Sequence, residues 1–227
     1  MRTSIEWMQG NEVVHVEQKF GSAIVSQLRT SLRVLRHPFD VFWEIRYRSH
    51  GSIAAASLLL ALALVVLLMS KLSGSYLFGG AKLDDLNPTA FLLQYSIPWI
   101  TWVFANYLVG SIMKGQGKLL EVFVGSTYAL MPIILFSLPL SIISNVLTLS
   151  EGSIYGFAQL IMNCWSLLLL FVMAKEIHNY EIGETVWNMI ISVLLMLAIW
   201  LLCLIFAGLT YQLYDFVAQI YKEVAAR

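Results

Sequence analysis

The sequence predicts an all-α polytopic membrane protein, with about five transmembrane helices preceded by a cytoplasmic amphipathic arm. Three observations predict it. First, the 227 residues are 59% hydrophobic and only 12% charged, whereas a soluble domain carries about a quarter charged residues; the mean hydropathy is +0.74. Second, five stretches supply the roughly 20 apolar helical residues that a hydrocarbon core of about 30 Å demands. Third, the Lys and Arg residues gather on one side of those stretches, which gives the chain a direction.

Residues 1–50 read as the arm. They hold seven Lys/Arg and five Asp/Glu with no early apolar core, so they do not read as a cleaved signal peptide. In Gly21–Arg36, Val25, Leu28, Leu32 and Leu35 recur at helical spacing, with Arg29, Arg33 and Arg36 on the other side. That pattern predicts an amphipathic helix lying on the inner leaflet. The following stretch, Pro38–Arg48, interleaves aromatics with arginines, a mixture suited to the headgroup layer. Arg29, Arg33, Arg36, Trp43, Arg46 and Arg48 are therefore the candidate contacts to lipid or to a cytoplasmic partner.

Residues 51–213 read as the membrane domain. The first span is Gly51–Ser70, the second about Phe91–Met113, the third Leu119–Val146, the fourth Ile154–Ala174 and the fifth Thr185 to about Tyr211. Only the third carries a charge, Glu121 in its first turn, as expected where central charges cost about 2.5–3.5 kcal/mol each. The Lys114–Lys118 connection is short enough to make spans two and three an antiparallel hairpin. Residues 214–227 read as a short extracytoplasmic tail. Ten Lys/Arg fall on the side of the arm and four on the other, which predicts the N-terminus inside and the C-terminus outside. The sequon Asn87-Pro88-Thr89 is blocked by its proline.

Within the spans, Asn106, Asn163 and Asn188 need hydrogen-bond partners in a medium that offers none. They read as interhelical bridges, or as the lining of a polar path. Glu121 lies three residues after Lys118, so a helix-surface ion pair is available to it. Pro132 and Pro139 lie nearly on one face of span three and predict helix kinks there; Pro98 suggests another in span two. Span one carries Gly51, Ala54, Ala55, Ser57 and Ala61, a small-residue pattern suited to helix packing.

Other chemistry is weakly marked. Cys164 and Cys203 sit in apolar runs and form neither a disulfide framework nor a metal pair. His178, Glu181 and Glu184 recur every third residue, but read as solvated loop polarity, as do Asp84 and Asp85 on the other side; no metal site and no cofactor is expected. There is no HExxH, GxSxG or Walker A motif and no intramembrane aspartate pair. A balanced charge gives no reason to expect nucleic acid.

The stretch from Gly115 through Lys118, Glu121, Gly125 and Tyr128 to Pro132 resembles the Yip1-domain family. So do the lead-in His37–Trp43 and the stretch Glu176–Gly183. The resemblance covers roughly residues 30–212. It implies five spans, with a glycine turn into span three followed by an aromatic and a proline, here Tyr128 and Pro132, and Tyr128 joins the intramembrane polar candidates. No Asp-Leu-Tyr-Gly-Pro stretch of the eukaryotic branch is present, so the resemblance points to the bacterial branch and a bacterial plasma membrane. The small-residue face of span one and the charges gathered on the inner side read as a non-enzymatic accessory or scaffold protein; the resemblance implies association with a membrane transporter such as the permease subunits of a carbohydrate ABC importer. The alternative is a small-solute transporter or channel using a polar path between the helices.

Overall fold

The computed structural model describes residues 29–48, 52–82 and 86–225. Every regular element among them is helical. The helices are α1 (Pro38–Tyr47), α2 (Ile53–Ser73), α3 (Pro88–Ile112), α4 (Leu119–Tyr128), α5 (Met131–Ile143), α6 (Gly152–His178) and α7 (Ile182–Ala225). Two single turns of 3-10 helix, Tyr76–Phe78 and Leu149–Glu151, lie in the connections. The fold is thus an all-α polytopic membrane bundle. α2, α6, α7 and the α4–α5 pair are long and apolar enough to cross a bilayer. α3 has 25 uncharged residues, with Gln94, Trp99, Trp102, Asn106 and Tyr107 interrupting its apolar run.

The chain alternates between two ends of the bundle: the arm end, which carries α1 and the 113–118 turn, and the far end. α2 starts with its Ser52 hydroxyl accepting from the Ala55 amide. α3 starts on Asn87, whose side chain accepts from the amides of Thr89 and Ala90, with Pro88 at a position where no N–H is needed. Its tight turn into α4 puts Lys114 at φ 60. α6 stops at Asn179, which takes the left-handed conformation at φ 57 that Asn tolerates better than most residues.

Four expectations change. The arm helix does not continue to Arg36: residues 29–33 are helical, then 34–36 turn ahead of Pro38, which disfavours helix in the residue before it. Its buried residues are Ser31 and Val34, while Leu32 stays 46% exposed; Val25 and Leu28 lie outside the described residues. Span three is two helices, broken at Ala129–Leu130, with Pro132 in the first turn of α5 and Pro139 inside it. Span four runs on to His178, which shrinks its connection to three residues, Asn179–Glu181. The tail from residue 214 is not a separate segment, because α7 continues unbroken to Ala225, 44 residues in all.

The core lies toward the arm end. Val41, Phe42 and Ile45 of α1 are buried against α6 and α4, beside Met173 and Ile177. Burying a phenylalanine fully contributes about 1.5–3 kcal/mol, so α1 is an integral part of the bundle. In α2 the buried face is Ala55, Ala56, Leu59, Ala63 and Val66; Ala54, Ser57 and Ala61 face outward, and Gly51 lies outside the described residues. α2 and α5 approach closely at the far end, where the Ser141 hydroxyl donates to the Ser70 carbonyl. α7 packs on α3 and α6 as far as Trp200, but every residue from Leu201 to Tyr214 is exposed.

Candidate functional site

Polar side chains meet at the arm end, in the space enclosed by α3, α6 and α7. Asn106 comes from the last two turns of α3, His178 from the end of α6, and Asn188 and Ser192 from the second and third turns of α7. All four are almost completely buried. His178 Nε2 lies 3.1 Å from Asn106 Oδ1, and the Asn106 amide donates to Asn188 Oδ1 at 2.8 Å and to Ser192 Oγ at 3.4 Å. An amide oxygen only accepts, so His178 carries its proton on Nε2. His178 Nδ1 and Asn188 Nδ2 are buried with no hydrogen-bond partner among the described residues.

Three glycines wall the imidazole. A Cβ on Gly110 would lie 2.6 Å from His178 Nδ1 and 2.9 Å from Nε2. One on Gly115 would lie 2.7 Å from Nδ1, and one on Gly117 2.9 Å from it. The ring also stacks on Tyr180, with centroids 5.3 Å apart. The Tyr180 hydroxyl donates to the Gly110 carbonyl at 3.0 Å, and the Gln116 amide donates to the His178 carbonyl at 3.3 Å. Burial pushes the Tyr180 hydroxyl up from its ordinary pKa, and the Glu184 carboxylate adds to the rise. The turn Met113–Lys118 thus closes over the end of α6 as a lid of backbone, which only residues without a Cβ allow. Arg46 extends the closure: it donates to the Ile177 carbonyl at the C-terminus of α6 and, at 2.5 Å, to Gln116 Oε1. A guanidinium is favourable beside the last carbonyls of a helix.

The predicted residues divide between this cluster and other places. Asn106 and Asn188 bond to each other; Asn163 stands apart, exposed on α6. Tyr128 is completely buried, and its hydroxyl has no hydrogen-bond partner among the described residues. Glu121 caps α4, accepting from the Lys118 amide at 3.0 Å, with the Lys118 ammonium 3.9 Å away. Arg29, Arg33 and Arg36 are exposed, and Arg33 lies 3.8 Å from Glu44. Trp43 and Arg48 are exposed and lie in cation–π range, 5.8 Å apart, whereas Arg46 turns inward. His178 is not solvated loop polarity but the centre of the cluster, because α6 runs one turn further than its apolar segment. Among the described residues no group of His, Cys, Asp and Glu is placed to hold a metal; Asp84 and Asp85 lie outside them. Sequence reasoning missed Gly110, Tyr180 and Ser192, and the signal available was three glycines within eight residues facing one histidine.

An all-α bundle of apolar helices, with one internal polar knot and no assembled catalytic group among the described residues, defines the class: a polytopic membrane protein. Residues 32–212 match the Yip1 domain, and the chain belongs to that family. No curated protein and no solved structure gives a match.

Proposed function

We propose that this chain is a non-catalytic accessory or scaffold protein, which binds another integral membrane protein through the outer half of α7. The observation that carries this reading is the length and exposure of that helix. At 1.5 Å per residue, its 44 residues extend about 66 Å, roughly twice the 30 Å hydrocarbon core. A 40° tilt still leaves about 50 Å along the membrane normal. Trp200 Nε1 donates to Thr101 Oγ1 at 3.2 Å, and Thr101 stands 13 residues after the start of α3 at Pro88. Counted antiparallel from Trp200, the far end of the bundle is therefore reached near Leu213. Beyond it Phe216, Val217, Ile220 and Tyr221 are 46–75% exposed. Lipid tails do not cover apolar side chains at that level, whereas a second protein does.

The cluster of Asn106, His178 and Asn188 supports the same reading. Its groups bond to one another under a glycine lid, which is how helices are bridged, and they leave little room for a solute to pass. The exposed Ala54, Ser57 and Ala61 of α2 add a second face suited to close helix contact. A transporter permease subunit, in a bacterial plasma membrane with the arm end inside, is the partner this reading expects. Mild purification from native membranes tests it: a stoichiometric second membrane protein is expected to accompany the chain. Recovery of the chain alone, or only with its own copies, overturns the proposal.

A further inference from the structure

An open cavity of about 650 Å³ runs between α2, α3, α5 and α6, away from the polar cluster. That is the size range of small-ligand sites. Along α2 it extends from Leu60 to Gly74, about 21 Å at 1.5 Å per residue, which is longer than one leaflet of a 30 Å core. Its walls change character with depth. Toward the middle of the bundle they are Leu60, Leu64, Trp99, Leu130 and Leu170. At the far end they become Ser70, Lys71, Ser141, Tyr155 and Gln159.

Lys71 is the only charged residue in that lining, and its ammonium has no carboxylate partner among the described residues. The turn after α2 folds back beside it. The Ala81 amide donates to the Lys71 carbonyl at 3.0 Å, the Ser75 amide donates to Ser144 Oγ at 2.9 Å, and Phe78 packs on Tyr155 with ring centroids 5.1 Å apart. Gly79 sits at φ 88, and a side chain there would meet the Lys71 ammonium at 3.8 Å. Ser70 and Trp99 belong to the lining, although Ser70 Oγ and Trp99 Nε1 are themselves buried, without partners among the described residues. A mostly apolar slot as deep as a leaflet, under a polar collar whose one charged residue among the described residues is Lys71, has the layout of an amphiphile with a negative head.

We propose that this cavity holds part of one acidic phospholipid, one of its two acyl chains between α2, α3, α5 and α6, the other in the surrounding bilayer, and its phosphate at Lys71. The site is independent of the partner proposed for α7. The test is native mass spectrometry of the full chain in nanodiscs, with phosphatidylglycerol and phosphatidylcholine of matched chains as probes. Wild type is expected to retain one phosphatidylglycerol in preference to phosphatidylcholine. Lys71→Gln is expected to lose about fivefold of that preference, the value of one basic residue near an anionic headgroup, and Lys71→Arg to keep it. Asn163→Trp, which fills the slot from an exposed position on α6, is expected to abolish retention of both lipids; Leu64→Trp serves if that variant does not fold. An unchanged preference in Lys71→Gln overturns the headgroup assignment. Unchanged retention in the tryptophan variant overturns the cavity, since the lipid would then belong to the general annulus.

Discussion

Replacing Gly110 by Ala tests the glycine lid over His178. The added methyl would stand 2.6 Å from His178 Nδ1 and 2.9 Å from Nε2, closer than real Cβ atoms come to a ring. The ring has little space to retreat into, because Tyr180 stacks on it and Gly115 and Gly117 approach it from the turn. Relief then requires the imidazole to swing out, which breaks its 3.1 Å contact with Asn106. Overpacking costs about 1–3 kcal/mol, and the lost interhelical hydrogen bond adds about 0.6–1.7 kcal/mol. The expected destabilisation is about 2–5 kcal/mol, read by denaturant titration of the protein in mixed micelles followed by circular dichroism. In Gly110→Ala with His178→Ala the methyl has space, so the second substitution is expected to restore part of what the first removed. A neutral Gly110→Ala, or a double variant as unstable as the sum of the singles, would refute the reasoning.

Two further outcomes follow from the same packing. A double-mutant cycle between Asn106→Leu and Asn188→Leu is expected to give a coupling of about 0.6–1.7 kcal/mol, measured by the same titration, whereas Asn163→Leu is expected to show no coupling to either. Phe42→Ala, at a completely buried position, is expected to cost about 3–5 kcal/mol and to raise hydrogen exchange across Pro38–Tyr47; unchanged exchange there would mean that α1 does not dock on the bundle.

The spans were legible because an uncharged stretch of about 20 residues has few stable places other than a bilayer or a buried core. The break between α4 and α5 was foreshadowed by Pro132, but a proline signals either a kink or a new helix start; here it is a start. The far extension of α7 was hidden by Asp215 and Lys222, which dilute the apolar signal although nothing after Gly208 stops a helix. At the candidate site, Asn106 and Asn188 stood out singly, as amides in hydrocarbon must. Their pairing did not, because it depends on the register of two helices 82 residues apart in sequence. His178 was masked by its charged surroundings, Lys175 to Glu184, yet α6 carries it on as its last residue and buries its side chain.

The central claim concerns the outer half of α7, and site-specific photo-crosslinking in native membranes tests it most directly. A photoreactive residue is placed in turn at Leu201, Leu204, Ile205, Leu209, Leu213 and Phe216, all exposed, with Leu167 and Leu168 on the exposed face of α6 as controls. The account predicts adducts to one other membrane protein at α7 positions recurring every three to four residues, and none from α6. Adducts only to lipid or to further copies of this chain at every α7 position would contradict it.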